Sequence, residues 1–195
     1  MSEGEEPQPQ AEEQPENQAE AAQEALAQAD PNDVKTLIAK YDKSGNGKLE
    51  FDEFIGFMKE GLGADVNVKA MRFIFDGMDT DGSHNLDQNE ILTCLEKIKS
   101  KDFKYMTKMI FRGADIDKSR KVTLLELSQC CNIFGEWDEK KFQEQCKTEF
   151  GKNKKELEYW EFYKLISGET IVKKSPDYDP YEGKLPEKSK CCLLL

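Results

Sequence analysis

The sequence predicts an all-α fold of four helix–loop–helix units in two paired lobes, with short β contacts between paired loops. Three observations lead there. Apolar residues recur at three- and four-residue spacing in short blocks, the pattern of amphipathic helices. Each pair of blocks is split by a short stretch rich in polar and charged residues. Those stretches start at residues 42, 79, 115 and 150, a period of 37, 36 and 35 residues, and such a period marks a repeated supersecondary unit.

Residues 1–29 stand apart. They are Glu, Gln, Ala and Pro, with Leu26 the sole large aliphatic residue after Met1. Such a segment buries too little apolar surface to offset the entropy of ordering, so a disordered acidic tail is expected. Of the 39 acids in the chain, nine fall in residues 1–30, where no Lys or Arg occurs; that leaves 30 acids against all 28 bases in the remainder. The net charge of -11 is therefore mostly a tail property. It argues against nucleic-acid binding, which needs a basic face.

The first helix should start at Asp30-Pro31, an N-cap followed by proline at the first helical position. Val34, Leu37, Ile38 and Tyr41 carry its stripe. Phe51, Phe54, Ile55 and Met58 resume the period after the loop, until Gly61 and Gly63 end it. In the second unit Val68, Met71, Phe75 and Met78 precede the loop, and Ile91, Leu92, Leu95 and Ile98 follow. The third runs from Phe103, Met106, Ile110 and Phe111 to Leu124, Leu125, Leu127, Cys131 and Phe134. The fourth has Phe142 and Cys146 before its loop and Phe162, Leu165 and Ile166 after it. Beyond Ile171, residues 171–195 read as a flexible tail.

The loops carry the chemistry. A hard divalent cation such as calcium takes six to eight oxygens, and a 12-residue loop supplies them from positions 1, 3, 5, 7 and 12, with position 9 often acting through water. The first loop offers Asp42, Ser44, Asn46, the Lys48 carbonyl and Glu53, with Gly47 for the left-handed turn at position 6. The second offers Asp79, Asp81, Ser83, the Asn85 carbonyl, Asp87 and Glu90. The third offers Asp115, Asp117, Ser119, the Lys121 carbonyl, Thr123 and Glu126. Position 8, where paired loops meet, is Leu49, Leu86 and Val122.

The fourth loop keeps Leu157 and Glu161 at positions 8 and 12, but Phe150 stands at position 1 and Lys152 and Lys154 at positions 3 and 5. Two ammonium groups repel a cation, so this loop is expected to be a structural partner for the third. His84 and Arg120 replace glycine at position 6 of the second and third loops. A non-glycine residue at positive φ costs on the order of 1 kcal/mol, about tenfold in affinity. With fewer carboxylates than the second loop and with Lys118, Arg120 and Lys121 nearby, the third loop is expected to bind most weakly. His84 reads as a turn residue.

These residues resemble the calmodulin superfamily of EF-hand proteins over about residues 31–170. The resemblance implies two EF-hand pairs, residues 31–99 and 102–170, holding up to three Ca2+ with Mg2+ as a competitor. Members of the superfamily include sensors that open an apolar groove for a target helix, buffers that barely open, and regulatory subunits that stay docked on a partner. Met58, Met71, Met78, Met106 and Met109 supply soft groove material, and a sensor is the favoured expectation. A buffer or a constitutively docked subunit is the alternative. No nucleophile–base pair or phosphate loop is present, so an enzyme is not expected.

The last four residues, Cys192-Leu193-Leu194-Leu195, match a prenylation box, with leucine favouring geranylgeranyl. One lipid anchors marginally, so palmitoylation of Cys191 is expected as the second signal. No run of 18 apolar residues marks a membrane span. The first residues lack the basic and apolar regions of a secretory signal, and Ser2 rather than glycine argues against N-myristoylation. The cysteines form no CxxC and read as reduced thiols. The expected protein is a cytoplasmic monomer held at the cytoplasmic face of a membrane.

Overall fold

Helices form where the apolar stripes recur, and polar loops with left-handed residues separate them. In the computed structural model the described residues are 31–61, 68–134, 138–172, 175 and 178–182, excluding the side chains of residues 31–33, 61, 130–134 and 139. The acidic tail 1–29, the Asp30 cap, Gly63 and the Cys191, Cys192 box lie outside them. The described residues are mostly helical. Helix α1 (Pro31–Tyr41) leads through β1 (Lys48–Leu49) to α2 (Phe51–Gly56), which loosens into a π-helical turn over Phe57–Gly61. Then come α3 (Val68–Met78), β2 (Leu86–Asp87) and α4 (Gln88–Lys99), followed by α5 (Phe103–Ala114), β3 (Lys121–Thr123) and α6 (Leu124–Phe134). Last are α7 (Glu139–Phe150), β4 (Glu156–Glu158) and α8 (Tyr159–Ser167). Among the described residues no helix is long and apolar enough to cross a membrane.

The loops pair as the spacing predicts. Strands β1 and β2 are antiparallel with Leu49 opposite Leu86, and β3 and β4 are antiparallel with Val122 opposite Leu157. All four of these position-8 side chains are fully buried, so each short ladder is closed by an aliphatic pair that leaves water. Below them aromatic rings fill the two halves of the core. Phe54 packs edge-on against Phe75, and Phe111 packs edge-on against Tyr159 and Phe162. Each buried ring contributes roughly 1.5–3 kcal/mol.

The two halves meet along α3 and α5. Glycine makes the crossing possible: a Cβ on Gly113 would stand 2.6 Å from the Phe73 carbonyl oxygen, and one on Gly77 would stand 2.8 Å from that of Met109. Backbone thus lies on backbone, which no side chain would allow. Both helices also end at this seam, with their partial negative charge concentrated there. Two buried cations answer it. Arg112, 1% exposed, donates its Nε to the Gly77 carbonyl at 2.7 Å. Lys118 donates its Nζ to the carbonyls of Asp76 and Arg112, each at 3.3 Å, closing the last turns of both helices.

The seam reaches the C-terminal residues. Where the sequence predicts a flexible segment from 171 onward, Pro180 and Tyr181 are buried, and Arg112 donates its Nη1 to the Pro180 carbonyl at 2.7 Å. The reason is that Arg112, buried at a helix end, has more donors than α3 alone can satisfy.

Replacing Gly113 by alanine forces a methyl into the Phe73 backbone, which has no rotamer to yield. Urea unfolding of Gly113→Ala should show a loss of about 1–3 kcal/mol with an unchanged slope.

Candidate metal centre

Helix capping and ligand placement are one act in these loops. The glutamate at position 12 is the third residue of the outgoing helix, and its carboxylate reaches back to the amide of position 9, the helix N-cap. Glu53 accepts from Glu50 N at 2.9 Å, Glu90 from Asp87 N at 3.0 Å and Glu126 from Thr123 N at 2.8 Å. The capping box therefore aims a long carboxylate into each loop before any cation is considered. Its other oxygen accepts an amide at the loop entrance: Ser44 N at 2.9 Å, Thr80 N at 2.7 Å and Ile116 N at 3.1 Å.

The aspartate at position 1 acts likewise from the opposite side. Asp42 accepts the amides of Asn46 and Gly47, Asp79 those of Ser83 and His84, and Asp115 those of Ser119 and Arg120. In loop two one carboxylate oxygen from each of Asp79, Asp81 and Glu90 lies within 4.8 Å of the others; in loop three Asp115, Asp117 and Glu126 do the same. Serines at position 5 complete the wrap: Ser83 Oγ donates to the Asn85 carbonyl at 3.1 Å and Ser119 Oγ to that of Lys121 at 3.0 Å. Loop one has only two carboxylates among its expected ligands, Asp42 and Glu53. Ser44 joins them, donating its amide to Glu53 and its hydroxyl to Asp42 at 3.2 Å, while Asn46 Oδ1 accepts the Lys48 amide. The carboxylates of loops two and three converge as a hard cation requires, and in loop one the side chains of Asp42, Ser44 and Glu53 are joined by hydrogen bonds.

Backbone strain ranks the loops. Position 6 is left-handed throughout: Gly47 at φ 78°, His84 at 62° and Arg120 at 65°. Position 4 is left-handed as well, with Gly45 at 69°, Gly82 at 69° and Lys118 at 53°. Loop one thus meets both demands with glycine, loop two meets one, and loop three meets neither. Sequence reading anticipated position 6 and missed position 4, although Gly45 and Gly82 stand there as the signal.

Loop four has lost this frame. Its position-12 Glu161 still accepts the Glu158 amide at 2.8 Å, but its second oxygen takes the Lys154 ammonium at 2.5 Å. Lys154 thus supplies the positive charge at this carboxylate. Among the described residues, positions 4 and 6 here have no positive φ.

Burial tunes the carboxylates unequally. Desolvation pushes Asp79 and Asp115 up to about 6, against the lowering pull of Lys118 on Asp79 and of the Tyr181 hydroxyl on Asp115. For Asp42 desolvation also acts upward, yet hydrogen bonds from Gly47, Ser44, Asn46 and Gly45 hold it below the ordinary value. Tyr181 is the main residue that sequence reading missed. Its hydroxyl donates to Asp115 Oδ2 at 2.8 Å across 66 residues of chain.

No family model matches the chain. It is 28% identical over 128 residues to "Calcium-binding protein LPS1-alpha" of Lytechinus pictus, across 61% of this chain and 39% of that one. It is 29% identical over 120 residues to "Probable calcium-binding protein CML34" of Arabidopsis thaliana, across 60% of this chain and 79% of that one. The chain thus spans well under half the length of the Lytechinus protein. A chain of the Chaetomium theromophilum TREX2 CID domain complex aligns at 15% identity with a TM-score of 0.31, too low to carry an argument.

A cation entering loops two and three needs Asp79 and Asp115 ionised, and at pH 6 each is about half protonated. Calcium added to weakly buffered protein should therefore release about one proton in all at pH 6 and almost none at pH 8. Release that does not change with pH would contradict the raised values.

Proposed function

We propose that this chain is an EF-hand protein that binds up to three calcium ions, through Asp42, Ser44, Asn46, Lys48 and Glu53 in loop one, Asp79, Asp81, Ser83, Asn85 and Glu90 in loop two, and Asp115, Asp117, Ser119, Lys121 and Glu126 in loop three. The convergence of three carboxylates within 4.8 Å in loops two and three carries the reading. Oxygen donors alone, without thiolate or imidazole, suit calcium or magnesium over zinc. The curated relatives named for calcium binding support it, and an enzymatic role has no support. Calcium bound there would supply positive charge, and the position-1 aspartate and position-12 glutamate would both hold it. The aspartate directly follows the incoming helix and the glutamate lies in the first turn of the outgoing one, so a cation held by both would couple the two helices. Mg2+, smaller and strictly octahedral, competes less well for a bidentate glutamate.

The function that fits best is a sensor. Met58, Met71 and Met78 are fully buried and Met109 nearly so, a store of polarisable apolar surface that helix movement would uncover for a target helix. A C-terminal prenyl group on Cys192, with palmitate on Cys191, would tether the sensor at the cytoplasmic face of a membrane, and a localised role favours sensing over bulk buffering. A constitutive buffer or docked subunit would bind without uncovering this surface.

Calcium titrated into unlipidated protein with a dye that fluoresces on apolar surface should raise the signal, and Mg2+ should not. Binding without a rise would exclude the sensor. Glu126→Gln should alter the titration less than Glu53→Gln or Glu90→Gln, because loop three is the most strained; the reverse order would refute that ranking. In fractionated cells Cys192→Ser should move the protein from membranes to the soluble fraction, and unchanged partitioning would rule out the anchor.

A further inference from the structure

We propose that the segment 179–182 belongs to the third calcium site, with Tyr181 and Asp179 as positioning residues, and that calcium binding there and docking of this segment reinforce each other. The inference rests on the calcium reading of loop three.

Loop three has the most to overcome. It has two non-glycine residues in the left-handed region and three bases, Lys118, Arg120 and Lys121, among its 12 positions. The C-terminal segment answers both faults. Tyr181, 3% exposed, gives its hydroxyl to Asp115 Oδ2, the oxygen that also takes the Arg120 amide at 2.9 Å. Asp115 Oδ1 takes the Ser119 amide at 2.8 Å. With donors fixed on both oxygens the carboxylate plane cannot turn.

Asp179 pairs with the Arg120 guanidinium at 2.5 Å, offsetting a positive charge at the strained position 6. The face of the Tyr181 ring receives the other charge, with Lys118 Nζ and Arg120 Cζ each 5.7 Å from its centroid.

The same segment is held from the other side by loop two. Glu182 donates its amide to the carbonyl of Thr80, position 2 of that loop, at 2.7 Å. Arg112 holds Pro180 beneath it. The segment is therefore docked on both loops of the seam, and its contacts to Asp115 and Arg120 depend on the geometry that calcium would stabilise. Linkage makes the effect mutual: if docking strengthens calcium binding at loop three, calcium must strengthen docking by the same factor.

The test uses the full chain. Calorimetric titration of wild type, Tyr181→Phe and Asp179→Asn with calcium is paired with hydrogen exchange at the Glu182 amide. Tyr181→Phe should weaken one of the sites on the order of tenfold, the worth of a hydrogen bond to a charged group, and leave the others unchanged. Asp179→Asn, a change at a half-exposed side chain that leaves the core intact, should weaken the same site. Neither variant should lose further affinity when combined with Glu126→Gln. Calcium should slow exchange at Glu182 in wild type and not in Glu126→Gln, a response that a merely structural tyrosine would not give. Unchanged binding in both variants, or faster exchange with calcium, overturns the coupling while the calcium reading stands. Absence of calcium binding by the wild type overturns both.

Discussion

Two missing side chains hold this molecule together. At Gly77 and Gly113 helices α3 and α5 touch through their backbones, and that contact brings the ends of both helices, and the loops that follow, into one place. Its electrostatic consequence is severe. Two helix termini, the carboxylate of Asp76 and the first aspartates of two loops converge where little water reaches. Lys118 and Arg112 are buried there for that reason, although burying either charge alone would be prohibitive. Burial disfavours the charged form of Lys118, and Asp76, Asp79 and Asp115 pull the other way. The seam, the loops and the docked C-terminal segment therefore form one charge arrangement rather than three neighbouring features.

Local grammar explains why so much of the fold is legible in the sequence. The helices follow from apolar spacing, and the paired loops follow from aliphatic residues at position 8. The glutamates at position 12 are ligand candidates by chemistry and helix caps by geometry, so two independent rules point to the same residues. Position 6 was legible because glycine at 47 shows what His84 and Arg120 must imitate.

What the sequence hid is non-local. Nothing near Gly113 says that Phe73 will press on it, since helical glycine is otherwise only a weak point. Lys118 reads as a loop base unfavourable to a cation, and only the crossing reveals it as a cap on two helices. The stretch after Ile171 reads as flexible because lysine, proline and aspartate dominate its composition. Tyr178 and Tyr181, aromatic residues in an otherwise charged run, were the available sign that part of it packs. That sign could not name Asp115, 66 residues away, as its partner.

The lysine in the fourth loop has a consequence for how the chain responds to its surroundings. Lys154 is a tethered counter-ion whose presence beside Glu161 does not depend on any solute concentration. That ion pair stands beside the β3–β4 contact, so loop four holds its position-12 carboxylate with a charge of its own. Under the calcium reading loop three would be the one cation site of this pair. One half of the chain would then carry two cation sites, and the other a single site beside a fixed charge.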